Sequence, residues 1–490
     1  MPAPGLPGLY GTERTGSIIM ERTKEKGISG RKPDTNVQTE GNPWRIILLF
    51  SLPLMAGNIF QQMYTVVDTA VVGKVLGVEA LAALGAVDWL NWLTLGVTQG
   101  FAQGFSILMA QRFGAGEKEK LRRTITNSIF LAMLCALCLT VLSEAAAGWA
   151  ISLLKTPVEI RPVSMAYLRI LFGGLPIVMA YNLAAAVLRA LGNGRQPLIA
   201  MVIASLTNII LDFLFVMEFQ WGVQGAAAAT LIAQCLSAAY CIWHIRRIRE
   251  LRLKKEDWKP EGALCVMLMK LGLPMAFQNT VISVGGMIVQ MIVNGFGVIF
   301  IAGMTATNKL YGILEVAATS YGYAMVTYSG QNLGAGKLRR VSEGVRAGLA
   351  IAMATSVLIA AVMLGFGRWI LAWFMPEDAG AGVQALEIAY RYLAIMSLCL
   401  PVLYVLHITR SCIQGLGNTL LPMASGVAEF IMRTGTALLL PVVFGENGIM
   451  YAEVLAWLGA DFILVPSYLY IMRRLKEGTV AESENITKMG

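Results

Sequence analysis

Apolar runs of about twenty residues or more recur along the chain, each closed by a short polar or basic stretch. A run of that length spans roughly 30 Å of hydrocarbon as an α-helix. Lipid offers the backbone no water to bond, so such runs must be helical. About twelve spanning helices are predicted. The first six cover 44–74, 80–110, 123–150, 161–190, 198–217 and 223–245, and the second six cover 263–294, 298–329, 343–374, 385–412, 419–443 and 448–472. Residues 1–43 are rich in Gly, Lys, Glu and Thr, lack an apolar core and carry no apolar segment with a cleavage site. They predict a disordered tail rather than a secretory signal, and Met20 offers an alternative start. Residues 246–262 form a basic linker between lobes 44–245 and 263–475, and 476–490 form a polar tail.

The halves repeat. Ser51-Leu-Pro-Leu-Met-Ala56 echoes Gly272-Leu-Pro-Met-Ala-Phe277, and Phe113-Gly-Ala-Gly-Glu-Lys118 echoes Leu333-Gly-Ala-Gly-Lys-Leu338. Leu191-Gly-Asn-Gly-Arg-Gln-Pro197 echoes Leu416-Gly-Asn-Thr-Leu-Leu-Pro422, and the three offsets are 221, 220 and 225 residues. Three echoes in order and in register make a strong repeat. An even number of helices per half gives both lobes the same sense in the membrane. The expected fold class is therefore an all-α polytopic membrane protein of two six-helix lobes, related by a parallel pseudo-two-fold axis with the pathway between them.

Composition agrees. The chain is 56% hydrophobic and 14% charged, with mean hydropathy +0.63, against roughly a quarter charged residues in soluble domains. The net charge of +9 does not point to nucleic acid, because the bases sit in short loops. One set of loops holds Lys118, Lys120, Arg122, Arg123, Arg189, Arg195, Arg246, Arg247, Lys254, Lys337, Arg339, Arg340, Arg473 and Arg474. The opposite loops hold Glu79, Glu159, Glu218, Glu377, Asp378 and Glu446. The positive-inside rule places the basic loops and both termini in the cytoplasm. Cys135 and Cys138 lie within an apolar helix without a histidine or acidic partner, and the chain has only His244 and His407, so no metal cluster is expected. Gly114-Ala-Gly116 and Gly334-Ala-Gly336 lack the strand and Lys-Ser/Thr of a phosphate loop and read as helix-ending turns.

Acids inside apolar helices are costly and so are functional candidates. They are Asp68, Asp88, Glu144, Asp212, Glu315, Glu429, Glu453 and Asp461. Glu429 and Arg433 stand i, i+4 and read as a pair. Asn208 and Asp212 share one face of the fifth helix. At 1.5 Å per residue Asp212 lies about 21 Å above that helix's start and Thr230 about 10 Å down the sixth, so both agree in depth with Asp68, late in the first. Two carboxylates, an amide and a hydroxyl make a pocket for H⁺ or Na⁺. The repeat places Val289 and Ala437 where Asp68 and Asp212 would recur, so the carboxylate pair belongs to the first lobe alone. A structural pair needed by both lobes would be expected twice, which favours a coupling role. Polar groups elsewhere in the helices outline a substrate cavity: Gln61, Gln62, Tyr64, Asn182, Gln278, Asn279 and Tyr321, with Trp89 and Trp92. The 26 methionines suit an adaptable surface, although most serve packing or face lipid.

At Val66-Val-Asp-Thr-Ala-Val-Val-Gly73, Ala110-Gln-Arg-Phe-Gly-Ala-Gly116, Asn208-Ile-Ile-Leu-Asp212 and Gly225-Ala-Ala-Ala-Ala-Thr230 the chain resembles the multidrug and toxic compound extrusion (MATE) family, over residues 44–475. The first lobe looks most like the DinF-like branch. The resemblance implies that Asp68, Asn208, Asp212 and Thr230 form a cation site, that Pro53 marks a bend in the first helix, and that Tyr64 stands beside the site. NorM-like members carry a Glu in helix 7 and an Asp in helix 10, where this chain has apolar residues near Ile282 and Leu403.

The resemblance implies a monomeric, cation-coupled antiporter in a bacterial cytoplasmic membrane, without a cofactor beyond its coupling ion, H⁺ or Na⁺. Its expected cargo is small, often cationic or amphipathic compounds. A lipid-linked saccharide flippase of the same superfamily is the nearest alternative, but Arg410 and Arg433 are few for a pyrophosphate cavity. An intramembrane enzyme built on Asp68 and Asp212 would need a second motif or a nucleophile, and neither is apparent. A channel fits two pseudo-equivalent halves less well than alternating access does.

Overall fold

Apolar content sets the helices, and glycine and proline set their breaks. In this computed structural model residues 37–154, 156–373 and 380–489 are described, except for the side chains of 478–489, Ala381 and a group between 64 and 86 that includes Tyr64. The predicted tail over 1–36 and the acidic loop residues Glu377 and Asp378 lie outside the described residues.

The first helix, α1 (Pro43–Gly114), starts at Asn42, whose side chain accepts from the Trp44 amide, with Pro43 in the first turn. It holds two predicted spans. The predicted loop between them reduces to a single break at Gly77, at φ 82° and ψ −177°, a conformation that only glycine adopts cheaply. A straight helix of 72 residues would be about 108 Å long. Instead, Gln38 just before α1 and Gly114 at its end both lie against Gln331, so the chain doubles back.

The first lobe continues with α2 (Lys118–Leu153), α3 (Arg161–Gly173), α4 (Leu175–Ala190), α5 (Arg195–Asp212) and α6 (Gly222–Arg247). The second holds α7 (Gly262–Val293), α8 (Val298–Gly334), α9 (Leu338–Ala372), α10 (Ala381–Leu398), α11 (Leu400–Gly415), α12 (Leu420–Phe444) and α13 (Ala452–Met489). Two predicted spans are bent pairs, α3–α4 by 46° and α10–α11 by 48°. Both bends fall at a Leu-Pro, Leu175-Pro176 and Leu400-Pro401, a further echo at offset 225. Proline lacks the N–H and crowds the carbonyl a turn earlier. With each bent pair as one pass and α1 as two, the described helices make twelve passes. By length and apolarity alone nine candidate spans qualify among the described residues, counting each bent pair once and α12–α13 as one stretch. The polar residues of α8, Lys309, Glu315 and Ser320 among them, are in keeping with a helix beside the pathway. The last helix, α13, runs to Met489, so the predicted polar tail continues it.

The lobes interlock reciprocally. Ile47, Phe50 and Leu54 of α1 are buried in the core of the second lobe, against α8 to α13. Leu264, Leu268 and Leu271 of α7 are buried in the core of the first, against α2 and α4. Ile47 and Leu268, like Phe50 and Leu271, are repeat partners at offset 221.

The crossing continues at the basic-loop end. Gln111 Nε2 donates to the Gly415 carbonyl at 3.0 Å, and its repeat partner Gln331 donates to the Ala190 carbonyl at 2.8 Å. Gly114 touches the Gln331 backbone and Gly334 touches the Gln111 backbone, too closely for a side chain at either position. Two copies of one motif thus latch the lobes at this end.

Two polar segments are also tied down, the first of them on this latch. Residues 37–42, the end of the predicted disordered tail, are held in place: the Gln38 amide donates to Gln331 Oε1 at 2.8 Å, Lys337 Nζ to the Thr39 carbonyl at 3.0 Å and Arg340 to the Gly41 carbonyl at 3.0 Å. The basic linker docks on α2 through Arg122 to Asp257 at 2.9 Å and the Glu261 amide to Asn127 at 2.9 Å.

Candidate cation-coupling site

Small residues let α5 and α6 approach. Ala200 and Ala204 on α5 and Ala226, Ala229 and Ala233 on α6 are buried, and Ser237 donates to the Ala200 carbonyl at 2.8 Å. Close packing by small side chains is how helices associate where lipid removes the hydrophobic drive. It brings together the residues singled out in the sequence. Asn208 Nδ2 donates to Thr230 Oγ1 at 3.3 Å. Asp212, buried, ends the regular part of α5, and a π-helical turn, Phe213–Glu218, follows at once. Such turns are frequent at functional sites. Phe215 within that turn stacks on Phe219 and Trp221 just beyond it.

Asp68, on the first limb of α1, faces Asp212, and the two carboxyls interact directly, although neither Asp212 oxygen reaches hydrogen-bond geometry. Beside them is a small cavity lined by Ala204, Asn208, Thr230, Ala233 and Gln234, with room for about one water-sized particle.

The defining feature is an imbalance. Asp68 Oδ1, both Asp212 oxygens, Asn208 Oδ1 and Gln234 Oε1 are buried without a hydrogen-bond partner. A buried polar atom left unsatisfied costs roughly 1–3 kcal/mol, and here all of them are acceptors. Unpartnered acceptors gathered in one buried place fit a proton or a small cation with oxygen preference. Gln234 was missed in the sequence. It stands one turn beyond Thr230, at i+4, and that spacing was the available clue.

The proposed cavity residues do not form one group. Gln61 is half-buried on the first limb of α1, and Gln62 reaches the Gly312 carbonyl of α8 at 3.4 Å. Trp89 lies against Gly286 of α7, and Asn279 donates to the Gly96 carbonyl at 2.9 Å, so both bridge the lobes. Asn182 turns back on Val178. Gln278, paired with Gln414, and Tyr321, bonded to Thr355 at 2.9 Å, are buried inside the second lobe. The side chain of Tyr64 lies outside the described residues, and Pro53 sits within the first limb of α1. Asp88 lies within electrostatic range of Lys309 of α8.

The second lobe holds a different buried cluster. Glu429 bonds both Arg410, at 2.7 Å, and Arg433, at 3.0 Å, while Arg433 also bonds Glu453 at 2.7 Å. The two guanidinium groups are therefore matched by two carboxylates. Among the described residues no group of three or more His, Cys, Asp or Glu could hold a metal ion.

Twelve membrane passes in two interlocked repeats, with a buried acceptor cluster in one of them, define the class: a two-lobed membrane transporter. The MatE family model matches residues 53–214 and again residues 274–439, once in each lobe. The chain belongs to the MatE (MATE) family. It is 27% identical over 420 residues to the probable multidrug resistance protein YpnP of Bacillus subtilis, covering 84% of this chain and 91% of that one. It is 24% identical over 454 residues to the probable multidrug resistance protein NorM of Thermotoga maritima, covering 91% and 96%. Among solved structures it is similar, at TM-score 0.83 and 21% identity over 91% of this chain and all of the other, to an outward-facing multidrug resistance MATE family transporter of the MOP superfamily. A MATE crystal structure in the bent conformation matches at TM-score 0.82 and 20% identity, over 90% of this chain and 98% of that one.

Proposed function

We propose that the protein is a cation-coupled antiporter that exports small, often cationic or amphipathic compounds by alternating access. The observation that carries this reading is the set of buried, unpartnered oxygens of Asp68, Asn208, Asp212 and Gln234. Such a cluster is costly when empty and favourable when a proton or a monovalent cation supplies the missing positive partner. Asp68 belongs to the first limb of α1, whose other end is buried in the second lobe. Binding that draws Asp68 and Asp212 together therefore acts on a helix shared by both lobes, and differential binding to two arrangements is what shifts such an equilibrium. Cargo enters between the lobes, and the export of multiple drugs named for the relatives fits such a pathway. The basic-loop end is assigned to the cytoplasm by its charge, the membrane is read as a bacterial cytoplasmic one because the relatives are bacterial, and the transporter is read as a monomer. A pyrophosphate-binding flippase is disfavoured because Arg410 and Arg433 are already paired with Glu429 and Glu453.

The test is efflux of a fluorescent organic cation from proteoliposomes under a pH gradient or a Na⁺ gradient, each imposed alone. The expected result is uphill movement with one of them. Movement with neither, in protein that is folded and inserted, would refute cation coupling.

A further inference from the structure

The repeat carries the first-lobe site into the second lobe, where its positions are filled by different chemistry. Asn208 on α5 corresponds to Arg433 on α12 at offset 225, the offset of the matched Leu-Pro bends and Gly-Asn turns. Gly222-Val-Gln-Gly225 at the start of α6 corresponds to Gly445-Glu-Asn-Gly448 ahead of α13 at offset 223, which aligns Thr230 with Glu453.

The contacts obey this alignment. In the first lobe Asn208 donates to Thr230 at 3.3 Å. In the second lobe Arg433 donates to Glu453 at 2.7 and 3.1 Å. Ala204, which lines the first-lobe cavity, corresponds to Glu429, the other carboxylate on Arg433. Arg433 also donates to the Ile282 carbonyl of α7 at 3.4 Å. An amide, a hydroxyl and a methyl around a small cavity have thus become a guanidinium between two carboxylates. Where the first-lobe site is left with unpartnered acceptors, Glu429 and Glu453 are supplied with a positive charge of their own, with only 6% of the Arg433 side chain exposed, while Asp461 on α13 keeps one unpartnered oxygen nearby.

We propose that the second lobe keeps the cation site in a self-occupied form. The Arg433 guanidinium is the resident, non-exchangeable cation of Glu429 and Glu453, and the transporter therefore exchanges its coupling ion at the first lobe only. The second statement rests on the reading of Asp68 and Asp212 as the coupling pair; the first rests on the geometry alone. Emptied of Arg433, the site leaves two carboxylates facing one remaining arginine, Arg410. It should then take a small monovalent cation, best a planar one that repeats the lost hydrogen bonds.

The two statements are tested in an Asp68→Asn background, which removes the first-lobe carboxylate. Thermal unfolding of purified Asp68→Asn/Arg433→Ala is followed in detergent at mildly alkaline pH against guanidinium chloride, with choline chloride at matched ionic strength. Millimolar guanidinium is expected to raise the midpoint saturably, by about 3 °C or more. It should not do so in Asp68→Asn alone, nor in Asp68→Asn/Arg433→Asn/Glu453→Thr, which restores the first-lobe pair. No saturable rise in the Arg433→Ala protein, or an equal rise in either control, overturns the self-occupied site.

A second measurement decides the matter even if Arg433→Ala does not fold. Na⁺- and pH-dependent stabilisation is compared in the native chain, Asp68→Asn and Asp68→Asn/Glu453→Gln. The expected result is its loss in Asp68→Asn. Stabilisation that survives Asp68→Asn and disappears with Glu453→Gln shows an exchanging second lobe and overturns the inference. Stabilisation that survives both changes overturns the first-lobe assignment, and the single-site statement with it.

Discussion

Replacing Gly334 by alanine perturbs one residue of the latch at the basic-loop end. A Cβ on Gly334 would stand 1.8 Å from the Gln111 carbonyl oxygen, where ordinary contact begins at 3.4 Å. The two backbones must therefore part by about 1.6 Å, the difference between those distances. Overpacking of this kind costs roughly 1–3 kcal/mol. The same parting stretches the bonds of Gln111 to Gly415 and Gln331 to Ala190, each worth about 0.5–1.5 kcal/mol net. Under the proposed alternating access these contacts break when the latch opens, so the penalty falls on the closed state alone. At about 1.4 kcal/mol per tenfold, the open population at this end should grow on the order of 10- to 100-fold. The assay is labelling of Ala190→Cys by a membrane-impermeant maleimide in a chain freed of its seven native cysteines. The labelling rate should rise with Gly334→Ala and likewise with the repeat-related Gly114→Ala. An unchanged rate in protein whose melting temperature has fallen would show that the contact stabilises the fold as a whole rather than one state of a gate.

Other consequences follow from the same contacts. Deleting residues 1–36 should leave transport intact, whereas extending the deletion through Gly41 removes the bonds of Gln38, Thr39 and Gly41 to the second lobe and should speed Ala190→Cys labelling. Equal labelling in both deletions would deny residues 37–41 that role. Lys254→Cys and Glu446→Cys, both exposed, should react from opposite sides of the membrane; reaction from one side would overturn the charge-based orientation. Glu429→Gln strands Arg410 and part of Arg433 in a buried site and should destabilise by roughly 3–5 kcal/mol. Its Arg410→Met partner change should recover part of that loss in thermal melts, and failure to recover any would show that the two side chains are not energetically coupled.

The fold was largely legible because lipid imposes one rule on every segment: an apolar run must be a helix. The repeat then followed from Gly and Pro motifs whose spacing survives without similar side chains between them. The break at Gly77 and the bend at Leu175-Pro176 were harder to read, since a glycine or proline within a long apolar run ends one helix and merely marks another. The crossing of Ile47 and Leu268 into opposite lobes had no local signature, because a buried leucine reads the same in either core. The candidate carboxylate cluster was legible through its cost: Asp68 and Asp212 stand out in apolar helices, and i, i+4 spacing added Asn208. Gln234 escaped because an amide near a helix's polar edge resembles any other until its oxygen is found enclosed. Gln278 and Tyr321 show the converse. Polarity marked them as candidates for the pathway, and tertiary contacts placed them inside the second lobe.

The central claim, that the first-lobe carboxylates carry the coupling ion, is tested most directly by gradient-driven efflux in proteoliposomes reconstituted with Asp68→Asn, Asp212→Asn and the double variant. Asparagine keeps the shape of each side chain and removes both its titratable proton and its charge. If the two carboxylates act as one coupled unit, each single change should abolish the gradient-dependent component of efflux in protein that melts normally. The double change should then be no worse than either alone. Gradient-driven efflux at the native rate by a well-folded Asp68→Asn protein would contradict the account and leave Asp68 as a structural group.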